Sequence, residues 1–109
     1  MAHFEDFELA RRVYRTLQDL RSRNTSATVL ELDAIAAQAA IPPNWQQREN
    51  RSYVDEARTD AWLAICRLAA ATAENQYAVN HDEPNKFVDI GPLWSVALDR
   101  AQAWIEEAQ

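Results

Sequence analysis

Glycine, lysine and cysteine are almost missing from this chain of 109 residues, which holds one of each: Gly91, Lys86 and Cys66. A single glycine cannot build the Gly-rich loop that cradles a nucleotide phosphate with closely approaching backbone amides. A lone cysteine forms no internal disulfide, so nothing in the chain calls for an oxidising compartment. The two histidines never fall at metal-ligand spacing: His3, Cys66 and His81 stand far apart, with no His-x3-His or Cys-x2-Cys pair. No apolar run approaches the ~20 residues that a bilayer requires. The first residues, Met1 to Glu8, carry acids and no apolar stretch of signal-peptide length. These gaps lead to the expectation of a cytoplasmic protein with no metal, no cofactor and no membrane span.

What fills the chain is helix-forming. Twenty alanines accompany the single glycine, and these two residues lie near opposite ends of the helix-propensity scale. With 48% hydrophobic and 26% charged residues, the composition is that of one globular domain over 1–109. A domain of this size buries roughly 65% of its unfolded surface, enough for a core without staples. Ten arginines against one lysine, with so much alanine, fit a GC-rich bacterial or phage coding bias.

Residues 61–73 are apolar at eleven of thirteen positions, with Arg67 the only charge. A helix apolar nearly all round has to be covered on most sides. This run is therefore expected to be the central helix of a compact bundle, or a helix partly covered by a second copy as a homodimer. Arg67 must then escape at a wet edge or pair with an acid.

Apolar spacing places a first helix over about 4–23, with Phe4, Phe7, Ala10, Val13, Tyr14, Leu17 and Leu20 on one face. Acids open it and Arg21 and Arg23 close it, as the helix dipole favours. After a polar turn over 24–27, Thr28 and Glu31 fit a capping box. The helix that follows, about 29–40, buries Leu30 or Leu32 with Ile35, Ala36 and Ala39; an extended strand over 28–32 competes with it. Pro42 and Pro43 end it. Ser52 or Asn50 can cap a long third helix, about 53–78. Pro92 suits the first turn of a last helix, about 92–107. That helix would bury Leu93, Val96, Ala97, Ala101, Trp104 and Ala108, opposite Asp99, Gln102 and Glu106. Glu106 and Glu107 sit at the unfavourable end of its dipole and should fray it. The expected fold is all-α, an antiparallel bundle of about four helices with the third central.

The net charge of −6 is uneven: residues 79–109 carry six acids against Lys86 and Arg100. An acidic chain is poorly equipped for general nucleic-acid binding, which comes from neutralising phosphates. It suits a partner with a basic surface. Residues 32–51 do resemble the repressor-type helix-turn-helix, through Ile35 and Ala36 in the first helix, Ala40 where a glycine is usual, and Ile41 before the turn. The resemblance implies that Arg48 and Arg51 approach phosphates or bases, in a DNA-binding regulator or a phage DNA-packaging accessory. Pro42, Pro43 and Gln46 depart from that pattern. A third reading is a metal-dependent nucleotide hydrolase. Glu5-x-x-Glu8 matches half of the carboxylate set by which all-helical pyrophosphohydrolases of the MazG type hold Mg2+, but Asp55, Glu56 and Asp60 lack the second spacing. Arg58 or Arg51 would neutralise Glu56 and Asp60 on the surface.

Asn80-His81-Asp82-Glu83 is chemically the richest tetrapeptide, yet four polar residues before a proline read as a solvated loop. No nucleophile and base stand at catalytic spacing, so an enzyme is not expected. What remains is recognition of a protein. Four tryptophans in 109 residues are dense, and Trp, Tyr and Arg dominate interface energies. Trp45 lies in a polar link, where it either plugs the bundle end or is presented outward beside Arg48 and Arg51; Tyr77 poses the same question. The acidic residues Asp82, Glu83, Asp89 and Glu106 form the second expected surface, suited to a basic groove that otherwise takes nucleic acid. The expected function is a small acidic binding protein of a bacterium, phage or mobile element, acting stoichiometrically as an inhibitor, immunity factor, antitoxin or anti-defence protein of the anti-CRISPR kind.

Overall fold

The computed structural model describes residues 4–23, 28–41 and 52–109. They form four α-helices: α1 (Phe4–Arg23), α2 (Thr28–Ala39), α3 (Tyr53–Asn80) and α4 (Gly91–Ala108), with a single 3-10 turn at Pro84–Lys86. The expected all-α bundle is what forms, and each expected helix limit lies within two residues of the observed one. Residues 28–32 are helical, so the extended alternative there is overturned. No described helix is long and apolar enough to cross a membrane. The turn over 24–27, the Thr28 side-chain cap and the Pro42-Pro43 stop lie outside the described residues.

Direction alternates along the chain. Asp6 near the start of α1, Arg58 near the start of α3, Trp104 near the end of α4 and the last carbonyls of α2 all meet at one end. The helices therefore run up, down, up, down. α3 packs most extensively on α4 and then on α2, while α1 closes the bundle against α4 and α2. Their shared core holds Leu17, Leu20, Leu32, Ile65 and Leu68, with Trp104 fully enclosed at 0% exposure. Burying an aromatic of this size contributes up to about 4–6 kcal/mol.

Local chemistry sets the helix ends. Ser52 caps α3: its Oγ accepts from the Asp55 amide at 3.2 Å, and Asp55 Oδ2 accepts from the Ser52 amide at 3.3 Å. This reciprocal box satisfies two otherwise orphaned donors. At the other end the Glu83 amide donates to the Ala78 carbonyl and the Asp82 amide to the Val79 carbonyl. That pair of bonds is a Schellman stop, with Asp82 at φ 53° in the position glycine usually takes. Across the α1–α2 connection, Arg23 Nη2 binds Asp19 at 3.0 Å and Glu31 at 2.9 Å. α4 runs to Ala108, and its Gln102 Nε2 reaches Glu106 Oε1 at 3.4 Å.

Of the two leucines left open on α2, Leu32 enters the core and Leu30 is exposed. Two core expectations need correction. Phe4 lies in the first turn of α1 and is also exposed. On α4 the buried set is Trp94, Ala97, Ala101, Trp104, Ile105 and Ala108, which rotates Val96 out to solvent. α3 is not dry all round: Tyr53, Glu56, Asp60, Leu63, Arg67, Ala70, Glu74 and Tyr77 recur at three- and four-residue spacing as its exposed edge. Arg67 escapes along it.

Candidate functional site

The two ends of the bundle differ in chemistry, because the helices differ in length. α2 spans 12 residues and α3 spans 28, so at 1.5 Å per residue they are about 18 and 42 Å long. The end of α2 is tied to Arg58, near the start of α3. Counted from there, α2 can cover α3 only to about residue 70. The last turns of α3 need another cover, and the segment 87–90 partly supplies it.

Asn75 holds that segment in place. It is buried, at 6% exposure, and its side-chain amide acts as a peptide group would. Nδ2 donates to the Val88 carbonyl at 2.6 Å, and Oδ1 accepts from the Val88 amide at 2.8 Å. A buried side chain with both functions satisfied specifies one position for the strap. Next along the chain, Asp89 Oδ1 accepts from the Gly91 amide at 3.0 Å, which places a carboxylate at the positive end of α4. Between the strap, the last turns of α3 and Val29 of α2 lies an open groove of about 600 Å3. Val79, Phe87 and Val88 line it and stay 64%, 56% and 45% exposed.

At this end of the bundle the structure places four of the eight expected binding residues. Asp89 lines the groove, and Asp82 and Glu83 line an adjoining depression with Val79 and Phe87. Tyr77 lies on another face of α3, beside Glu74 and Lys86. Tyr77 is exposed and its ring stacks on His81, with centroids 3.8 Å apart. His81 Nδ1 also lies 2.9 Å from the Tyr77 carbonyl, so the histidine is part of the helix stop. Asp82 is exposed at the Schellman turn. Glu83 is half-buried, and its Oε2 has the Lys86 ammonium 3.3 Å away. Asp89 stands at the start of α4. Glu106 does not join them: it lies 17 residues further along, about 25 Å down α4 at the opposite end. The expected single surface joining the 82–89 loop to Glu106 is therefore divided. Trp45, Arg48 and Arg51 lie outside the described residues, as does the turn and second element of the helix-turn-helix resemblance; its first helix is α2.

The opposite end is built around Arg58. Its Nε donates to the Ala39 carbonyl at 2.9 Å, and Nη2 to those of Ala40 at 3.0 Å and Gln38 at 3.3 Å. These are among the last carbonyls of α2, which have no partner within the helix and carry its negative pole. Nη1 pairs with Asp6 Oδ1 at 3.3 Å, and the side chains are only 12% and 13% exposed. Trp104 Nε1 donates to the same oxygen at 3.2 Å, and the guanidinium lies 5.5 Å from the Trp104 ring. Arg58 was expected on the surface between Glu56 and Asp60. It points inward instead and leaves those two acids on the wet edge of α3. This cluster joins all four helices, and every one of its groups is engaged in holding them.

Cys66 faces the α2 side of α3, half-buried. Burial pushes its thiol above the ordinary range, and Asp33 adds to the shift. Among the described residues no three of His, Cys, Asp and Glu gather closely enough to hold a metal ion. Glu5 and Glu8 are both exposed on α1, with Arg11 3.9 Å from Glu8. No protein-family model, no curated protein and no solved structure matches this chain.

Proposed function

We propose that this chain is a stoichiometric protein-binding module, working as an inhibitor, immunity factor, antitoxin or anti-defence protein, and that it binds with the end of the bundle bearing the strap. The observation that carries the reading is an exposed apolar groove lined by Val79, Phe87, Val88 and Asp89, with Asp82 and Glu83 on an adjoining depression that shares Val79 and Phe87. Exposed apolar patches rimmed by polar groups are where soluble proteins meet their partners. Phenylalanine offers large contact area with few rotors to immobilise. The acidic border favours a basic partner and speeds its approach, as on a protein whose own groove takes nucleic acid. Clamping by Asn75 lowers the ordering cost, because the strap is placed before the partner arrives. At the other end Arg58 and Asp6 are engaged internally.

Site-directed photocrosslinking tests this. Benzoylphenylalanine is introduced at Phe87, in the groove, and separately at Asp99, exposed midway along α4. Each protein is irradiated in an extract of its source organism. A discrete adduct of one partner from position 87 only is the expected result. Equal adducts from both positions, or none from 87, would overturn the reading.

A further inference from the structure

The groove selects its occupant by shape and charge together. Val29, Val79, Phe87, Val88 and Ile90 give it a mainly apolar surface, with Gln76 on the α3 wall. Its walls are open: a small molecule seated there would stay largely wet, whereas ligand pockets bury about 70–90% of what they hold. A segment of a larger partner covers the same walls without that loss. Asp89 lines the groove, and Asp82 and Glu83 lie on an adjoining depression that shares Val79 and Phe87, with Lys86 the one Lys or Arg of residues 79–91. Lys86 is already paired with Glu83. Asp82 is exposed, with no cation in ion-pairing range among the described residues. Phosphate-bearing surfaces are repelled by such a rim, and so is a second copy of a chain with net charge −6.

The longer wall adds a backbone constraint. Within α3 the amides and carbonyls are paired in the helix's own ladder, so that wall offers no backbone partners to an incoming strand. A segment entering an apolar groove must then satisfy its own backbone, as a helix does. We infer that the groove takes a cationic amphipathic helix, with aliphatic or aromatic residues at i, i+3 or i+4, and i+7 seated between Val79 and Phe87, and flanking Lys or Arg facing Asp82 and Asp89. This inference rests on the binding end proposed above and names the chemistry of what it binds.

The test uses the full chain and three fluorescent helical peptides: one of Leu and Lys patterned for one apolar face, a scrambled version, and a Leu/Glu version. Anisotropy should show the patterned Leu/Lys peptide bound, more weakly as salt rises, with the other two at least about tenfold weaker. Val79→Ser with Phe87→Ser should weaken it by about tenfold or more. Both side chains are exposed, so this variant keeps its fold. Asp82→Asn with Asp89→Asn should weaken it and flatten the salt dependence. Equal binding of patterned and scrambled peptides, or binding unchanged by both double variants, overturns the inference. So does a dimer, seen in sedimentation, that Phe87→Ser dissolves, because the occupant is then a second copy. If the peptide fails while crosslinking from position 87 persists, the occupant is wrong and the binding end stands; if both fail, both fall.

Discussion

Replacing Arg58 with alanine removes one side chain and loosens all four helices. Three carbonyls, of Gln38, Ala39 and Ala40, lose a charged donor, and Asp6 loses its cation. Removing one partner of a buried pair costs about 3–5 kcal/mol, because the other charge stays desolvated. Here the side chains are 12% and 13% exposed, so water reaches the vacated site and trims the loss. We expect about 3–4 kcal/mol, a large share of the roughly 5–15 kcal/mol that holds a domain together. At about 4–8 °C per kcal/mol for a domain near this size, Tm should fall by about 12–32 °C. Thermal and urea unfolding followed by far-UV circular dichroism reads both numbers. Arg58→Lys keeps a charge near Asp6 but loses the planar fork, so it should fall between alanine and the native protein. A double-mutant cycle with Asp6→Asn should show a coupling above about 1 kcal/mol. A loss below about 1 kcal/mol for Arg58→Ala, the worth of an exposed pair, would refute this reasoning.

Three further outcomes follow from single contacts. Asp82→Gly places glycine at the φ 53° position of the α3 stop and should stabilise by about 0.5–1 kcal/mol; an unchanged or lower urea midpoint would contradict it. Asn75→Ala frees both backbone groups of Val88, costing about 1–3 kcal/mol, and should speed exchange of the Val88 amide and tryptic cleavage after Lys86. Native-like cleavage there would show that the strap is held by something else. Cys66 is held protonated, so its contribution is complete below the ordinary thiol value of about 8.5 and is lost as pH rises through the raised one. Cys66→Ala should therefore lose less stability than the native chain in alkaline buffer, and equal alkaline losses would argue against it.

Much of the fold was legible because it is written in local pattern. Alanine content, three- and four-residue apolar spacing, and Ser52 and Pro92 at helix starts set the elements and their limits. What the pattern left open or misplaced was decided by tertiary packing. Leu30 and Leu32 are both compatible with a helical stripe, and only the placement of α2 against α3 decides between them. Val96 sits at the margin of the apolar face of α4, where a small rotation moves it into water. Arg58 was illegible because its partners lie 18 to 20 and 52 residues away in the chain; nothing nearby distinguishes it from a surface arginine. The acids of the 82–89 loop were legible as a group. Their separation from Glu106 depends on the length and direction of α4, which charge counting ignores. Asn75 gave no signal beyond being polar on an apolar helix, and that mismatch was the available clue to the strap.

The division into a fastening end and a binding end is tested most directly by amide hydrogen exchange, comparing the free chain with its crosslink-captured partner complex. Protection should rise over 72–90 and at the start of α2, and stay unchanged around Asp6, Arg58 and 99–108. New protection centred on α1 or on the end of α4 around Glu106, with 72–90 unaffected, would contradict it.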